Sequence, residues 1–434
     1  MNKILGLLLI LLLITNCSLD KKSGLWSNTS KIDIEKDLIT TELFEDEKTF
    51  SEELNSNVKI KLKSNLTNNN FTNNLSNNNG RANYNGSLKS ISRYKFSSID
   101  NFNQFEPEIV FDNNNVIFFD NKGSILKFDE FSKLIWKINY YKKTEKKLKP
   151  ILTFANDQNN LIVADNLAKY YAIDIKTGEL LWVKNNIAPF NSQIKIYKNK
   201  FFLTDLENIL RCYSIKDGKE LWNIKTDTAF IKSQKKLSII IFEEKVIFNN
   251  SIGDISAVDV DTGKLLWQTP TQDSSIYESA FQLKTSDLIV FNKSILFSNN
   301  KNEFFSIDID TGALIWKQKI NSVVRPTAID NLVFTVSNEG FLVIIESHTG
   351  NLVRVTNVFD IIKEKKRSKI IPVGFIVGEK NIYLTTNKGR LIIVDVSTGR
   401  SSLMLKIDND KISRPFILNK NLFIIKNNAI IKIN

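Results

Sequence analysis

From about residue 92 to the C-terminus, apolar and polar positions alternate with period two in short runs broken by polar turns, and helical spacing is absent. Before Gly263 the chain reads "KVIFNNSIGDISAVDVDTG": an apolar strand, a polar turn, a second strand, then a tight turn. The same order, "NIYLTTNKGRLIIVDVSTG", precedes Gly399. The phrase around the tight turn recurs as "DIKTGELLW" (174–182), "DVDTGKLLW" (259–267) and "DIDTGALIW" (308–316). Its glycines are 178, 218, 263, 312, 350 and 399, so the spacings are 40, 45, 49, 38 and 49 residues. Repeats of that length with about four short strands each predict the blades of a β-propeller rather than a helical solenoid. Inner strands are expected to begin near 106, 150, 192, 238, 285, 324, 371 and 414, which makes eight four-stranded antiparallel blades, with seven the alternative count. The last set reaches the C-terminus without an outer strand. The stretch "SRYKFSSI" (92–99) is therefore expected to supply it and close the ring, removing the open edges of a linear array.

The turn has a local logic. An Asp side chain folds back on backbone N–H groups two residues on, and Gly takes the left-handed conformation that so short a hairpin needs. The residue that ends the phrase is Trp182, Trp222, Trp267 or Trp316, and ten residues earlier stand Ala172, Cys212, Ala257 and Ser306, all small. Where Arg354 or Leu403 replaces the Trp, that earlier residue is Ile344 or Ile393. Direct packing of the indole over the small position produces such co-variation, so the four Trp are assigned a structural docking role. Trp136, with Leu126 ten residues before it, breaks the pattern.

The N-terminal region is of another kind. "MNKILGLLLILLLITNC" carries Lys3, then an apolar run from Ile4 to Ile14, too short to span a bilayer. It reads as a signal peptide over residues 1–16, and "ITNC" resembles the lipobox of bacterial lipoproteins, which makes Cys17 the expected site of acylation. Residues 17–90, with "NLTNNNFTNNLSNNNG" inside them, are poor in apolar groups and read as a flexible linker. Within it, 31–55 carries spaced Leu, Ile and Phe and is either a short amphipathic helix or solvated linker. The propeller domain is then 91–434. Such a chain is expected at the periplasmic face of the outer membrane, held by its lipid.

A net charge of +12 changes little, because Lys is spread along the whole chain and no basic stripe alternates with aromatics, so nucleic acid is not expected as a partner. No catalytic constellation is visible. The two cysteines, Cys17 and Cys212, are far apart, and Cys212 sits at the small position opposite Trp222 as a packed thiol. The single His348 lies in a turn with no Cys or carboxylate set for a metal. The repeated Asp residues are turn formers. No metal, cofactor or enzymatic activity is expected.

The eleven-residue phrase "AIDIKTGELLW" (172–182), "AVDVDTGKLLW" (257–267), "SIDIDTGALIW" (306–316) resembles the tryptophan-docking repeat of the pyrroloquinoline-quinone-like propellers, over about residues 92–434. Two branches of that family compete. The resemblance to quinoprotein dehydrogenases implies adjacent cysteines, calcium-binding acidic residues and long insertions, which this chain lacks. The resemblance to the lipoproteins of outer-membrane β-barrel assembly implies a non-catalytic eight-bladed scaffold. It also implies a partner, the barrel-forming subunit with periplasmic repeat domains, and unfolded outer-membrane proteins as clients. By that resemblance Ala229, Ile231 and Lys232, in the loop after Trp222, are candidate partner-binding residues, whereas 272–287 lacks the acidic pair the family's second loop carries. A propeller lipoprotein binding a ligand, or a partner in another envelope complex, is the remaining alternative.

Overall fold

Each short alternating run buries one face and pairs its backbone with its neighbour, and the sheets so formed are eight, each of four antiparallel strands. The computed structural model describes residues 50, 52–68, 74–100, 102–227, 235–271 and 283–434. Blade one runs inward to outward as Val110–Asp112, Asn115–Phe119, Ile125–Phe128 and Leu134–Ile138, and the next six blades repeat that order. Inner strands begin at Val110, Leu152, Lys195, Ile239, Ile289, Thr327, Pro372 and Phe416, within four residues of the expected starts. In blade eight the outer strand is Ser90–Lys95, paired antiparallel with Ala429–Ile433 next to the C-terminus. Lys89 and Asn434 exchange backbone hydrogen bonds of 3.1 and 3.0 Å at the seam. The ring therefore closes on eight blades by the N-terminal strand.

The turn chemistry is as its residues require. Asp174 accepts hydrogen bonds from the backbone N–H of Lys176 and Thr177, both at 2.8 Å, and Asp259 and Asp308 do the same in their turns. The Trp and the small residue are partners across the strand pair: Ala172 with Trp182, Cys212 with Trp222, Ala257 with Trp267, Ser306 with Trp316. Blade one departs from this pairing because its turn is shorter. Asp129 donates its N–H to the Lys133 carbonyl, four residues on, where Asp174 reaches Glu179, five residues on. With one residue fewer in the turn, Trp136 pairs with Lys127 instead of Leu126, and the Lys127 Nζ stands 6.0 Å from the indole centroid.

The indole also does something the single-blade pattern does not reveal. Each ring crosses to the next blade and covers the glycine of that blade's turn: Trp182 lies over Gly218, Trp222 over Gly263, Trp267 over Gly312 and Trp316 over Gly350. A Cβ on Gly312 would sit 2.6 Å from the Trp267 ring, and its φ of +72° is already hard for any other residue. Three of these indoles donate to a carbonyl of the turn they cover: Trp182 to Ile215 at 2.8 Å, Trp267 to Ile309 at 3.1 Å, Trp316 to Ser347 at 2.9 Å. The Trp222 N–H is buried without a partner.

Residues 52–68 and 74–88, linker by composition, are seated on the ring. Leu54 exchanges backbone hydrogen bonds with Val355 on the outer strand of blade six, and Glu53 accepts both terminal nitrogens of Arg400 at 2.6 and 2.8 Å. Ile60 is buried in the core between blades six and seven. Further along, Leu75 and Ser76 carbonyls accept from Ile241 and Val290, and Ala82 donates to Val377, so the segment crosses inner strands of blades four, five and seven. Backbone pairing and Asn amides, beside a few buried anchors such as Ile60, Ala82 and Tyr84, order this stretch, and composition does not register the first two.

Trp267→Ala is expected to cost about 3 kcal/mol, the low end for a large-to-small change because the ring is only half-buried. Leu403→Ala, whose side chain is exposed, should cost about 0.5 kcal/mol or less. Urea unfolding of the two variants checks this, and equal costs would mean the indole contributes no more than any outer-strand apolar group.

Candidate functional site

An eight-fold ring brings equivalent positions of different blades together at its centre. The position two residues before an inner strand holds Glu108 in blade one, Gln193 in blade three, Asp287 in blade five, Arg325 in blade six and Arg414 in blade eight. The four charged side chains among these meet. Arg325 donates through Nε to Asp287 at 2.7 Å and through Nη2 to Glu108 at 3.2 Å. Arg414 donates to the same Glu108 oxygen at 3.0 Å, and the Lys236 ammonium stands 3.3 Å from the other. Arg414 lies against Gly374, where any Cβ would be 2.5 Å from the Arg414 Cβ, so blade seven admits the arginine only by having no side chain there.

Burial works to raise the Glu108 carboxyl, but Lys236, Arg414, Arg325 and Lys195 outweigh it and hold the group well below the ordinary carboxylate range. The Asp287 carboxyl is lowered too, burial being overcome chiefly by Arg325. Burial and then the charge of Arg325 bring the Arg414 guanidinium down to about 10. The same two causes push the Lys195 ammonium down to about 7, against the opposing pull of Glu108 and Asp287.

Lys195 joins this cluster to the Asn-rich segment. Its Nζ donates to the Asn74 carbonyl and to Asn77 Oδ1, both at 2.6 Å. The Asn77 amide in turn donates to Gln193 at 3.0 Å, to Ser238 and the Ile239 carbonyl at 3.2 Å, and to the Leu288 carbonyl at 3.0 Å. Asn78 closes a pair of 3.0 Å hydrogen bonds with the backbone of Ala328. One short stretch of chain is thus tied to blades three through six from inside the ring.

Of the residues singled out in the sequence, Trp182, Trp222, Trp267 and Trp316 stand at the outer blade boundaries. Cys212 is buried against Trp222, and burial pushes its thiol up to about 12. Cys17, Ala229, Ile231 and Lys232 lie outside the described residues, as do 272–282 and, within 31–55, residues 31–49 and 51. The charged cluster was missed. Its signal is the identity of the residue two before each inner strand, visible only when the blades are laid over one another.

A family model described as outer membrane protein assembly factor BamB matches residues 97–356. The outer membrane protein assembly factor BamB of Shewanella oneidensis is 25% identical over 129 residues, 27% of this chain and 31% of that protein, so the match spans under a third of the relative's length. The crystal structure of BamB from Moraxella catarrhalis superposes with a TM-score of 0.64 at 15% identity, covering 80% of this chain and 100% of that one. A europium-containing methanol dehydrogenase superposes with a TM-score of 0.65 at 11% identity, covering 82% and 88%. The quinohemoprotein alcohol dehydrogenase from Comamonas testosteroni gives 0.61 at 11%, covering 81% and 78%. At these identities the superpositions establish a shared fold, which scaffolds and dehydrogenases have in common. Among the described residues, no three His, Cys, Asp or Glu are grouped as a metal site. The interior cluster pairs its two buried carboxylates with arginine and lysine.

The Lys195 environment has a stability consequence of defined sign. A folded-state value near 7 against about 10.4 in the unfolded chain means that unfolding takes up a proton between those limits, so stability rises with pH from about 7 to about 10. Lys195→Met removes that dependence. The stability of the wild type relative to Lys195→Met, from urea unfolding at pH 7 and pH 9.5, is expected to improve at the higher pH, and a constant difference would refute the assignment.

Proposed function

The chain belongs to the family of the outer membrane protein assembly factor BamB, and on that premise we propose that it is a non-catalytic scaffold lipoprotein of outer-membrane protein assembly. The family match over residues 97–356 is the observation that carries this reading. The protein works at the periplasmic face of the outer membrane, anchored through acylated Cys17, where several acyl chains hold firmly and one would be marginal. Its partner is the barrel-forming subunit with periplasmic repeat domains, and its clients are unfolded outer-membrane proteins.

The loop between blades three and four presents the contact. It leaves the outer strand Glu220–Lys225 and returns to the inner strand Ile239–Phe242, with Ala229 and Ile231 as apolar anchors and Lys232 as the adjacent charge. A lysine there supplies a point charge without the planar fork of an arginine. Around the rim, the outer strands repeat an exposed apolar pair, Leu180 with Leu181, Leu265 with Leu266 and Leu314 with Ile315, which supports contact with extended apolar chain.

Affinity purification of the membrane-extracted protein followed by mass spectrometry is expected to recover an outer-membrane barrel protein bearing periplasmic repeats. Ile231→Asp should reduce that recovery about tenfold or more, the loss of an interface anchor, with unchanged thermal unfolding. Recovery of transport or cell-wall components instead would replace this function. Cys17→Ser is expected to move the protein from the membrane to the soluble fraction, and a variant that stays membrane-bound would remove the lipid anchor.

A further inference from the structure

We propose that the face of the ring carrying the blade-to-blade loops docks on an anionic lipid surface. A blade of four antiparallel strands is entered by its inner strand and left by its outer strand at the same face. Every loop between blades therefore lies there, beside the turn between second and third strands. Asn186 donates to the Ala168 carbonyl, and Val358 to that of Gly340, across this pairing of loop and turn. The Asp–Gly turns lie on the opposite face with the turns between first and second strands, where Ile175 donates to the Asn159 carbonyl. Lysines spread evenly along the sequence are thus sorted onto two faces, and the two differ.

On the turn face, cations are answered locally. Lys198 pairs with Glu244 at 3.1 Å, Lys200 with Asp261 at 2.6 Å and Lys245 with Asp310 at 2.8 Å. On the loop face, two connections carry a short helix, Lys143–Lys147 between blades one and two and Glu364–Arg367 between blades six and seven. Lys143 and Lys147 are exposed in the first, and Lys363, Lys365, Lys366 and Lys369 in the second. None of these six makes an ion pair among the described residues. Glu145, the first loop's one carboxylate, is taken by Lys169 of blade two at 2.7 Å. Both loops stand on fixed bases. Tyr141 is buried and donates to Asp165 at 2.5 Å, while Ile362 and Ile370 are buried and Arg367 donates to the Ile362 and Asp360 carbonyls at 2.9 and 3.0 Å.

Exposed aliphatic side chains stand among the cations. Leu148 is 63% exposed between Lys147 and Lys149, and Ile371, two residues after Lys369, is 45% exposed. Ile187, on the next loop of the same face, is 95% exposed. Single exposed aliphatics are ordinary. Set beside unpaired lysines on one face, they meet both demands of a bilayer interface, charge for the headgroups and apolar tips for the boundary beneath. A folded acidic partner has to place a carboxylate at each lysine, whereas an anionic bilayer is negative wherever it is touched. That suits cations on two loops three blades apart around the ring. The contact is reversible and weaker than an acyl anchor, so it selects the face presented to the membrane and leaves the holding to Cys17.

The test uses the mature chain, residues 17–434, carrying Cys17→Ser so that no acyl chain contributes, and flotation with vesicles of phosphatidylcholine alone or mixed with phosphatidylglycerol. Flotation is expected only with the anionic mixture. It should be lost as sodium chloride rises from about 0.1 to about 1 M, which shortens the screening length from about 10 to about 3 Å. Each lysine near such a surface strengthens binding about fivefold. Lys143→Glu, Lys147→Glu, Lys365→Glu and Lys366→Glu combined should therefore weaken it at least about tenfold. The matching control, Lys133→Glu, Lys176→Glu, Lys216→Glu and Lys264→Glu, changes net charge equally on the turn face and should leave binding within about twofold. Thermal unfolding of both variants is expected to match the parent. Flotation with phosphatidylcholine alone, none with the mixture at about 0.1 M salt, or equal losses in the two variants overturns the proposal. So does flotation unchanged by the loop-face reversals while recovery of a protein partner falls, which would assign these lysines to an acidic protein surface.

Discussion

The ring depends on one contact made at every blade boundary but that between blades seven and eight, the outer strand of one blade reaching across to the turn of the next. A four-stranded sheet of this size cannot bury enough apolar area to stand alone, and flat faces packed side by side would slide. A large side chain laid over the neighbour's turn glycine, in most cases with an N–H on a carbonyl of that turn, fixes both spacing and register where it occurs. The glycine is therefore required twice, once for its positive φ and once for the ring that lies on it.

Seen this way, the two repeats that lack Trp keep to the rule or lie beyond its reach. Arg354, fully buried, sends Nη2 to the Val396 carbonyl at 3.0 Å, the residue equivalent to the Ile309 that Trp267 reaches. Its Nη1 donates to the carbonyls of Ser397 and Val58. An indole offers one donor, whereas the guanidinium offers enough to hold the next blade's turn and the segment 52–62 together. The substitution and the strap are thus one device. Leu403 has no turn to reach, because blade eight is divided between the chain's two ends where that turn would be. At the following boundary Tyr94, buried on the N-terminal strand, donates to the Glu130 carbonyl in the turn of blade one at 3.2 Å and restores the pattern.

The architecture was legible because it is periodic. Alternation gave strands, the Asp-x-x-Thr-Gly phrase gave turns, and repetition gave the blade count and its closure. The small residue opposite each Trp was readable because strand partners sit a fixed distance apart in sequence, and it misled in blade one where the turn is one residue shorter. Contacts between blades have no such fixed spacing. Gly218 is 36 residues from the ring that covers it, while Gly350 is 34 from its own. The segment 74–84 was hidden for a different reason: Asn amides satisfying inner-strand backbone groups look, in composition, the same as Asn amides satisfied by water.

Each blade contributes one residue to any given level of the channel, so a cluster at the centre is spread over some 300 residues of sequence and leaves no local motif. Glu108 and Arg414 stand at opposite ends of the domain and share a hydrogen bond because the ring closes between blades eight and one. Opening the ring would strand a buried carboxylate and two guanidinium groups as well as expose two strand edges. The closing strand and the charged centre therefore support one another, the first by setting distances and the second by making an open ring electrostatically expensive. The Asn77 amide adds a tie that neither supplies, since the four acceptors within reach of its two N–H groups belong to blades three, four and five, and a shift of one of these against the others would lengthen a bond.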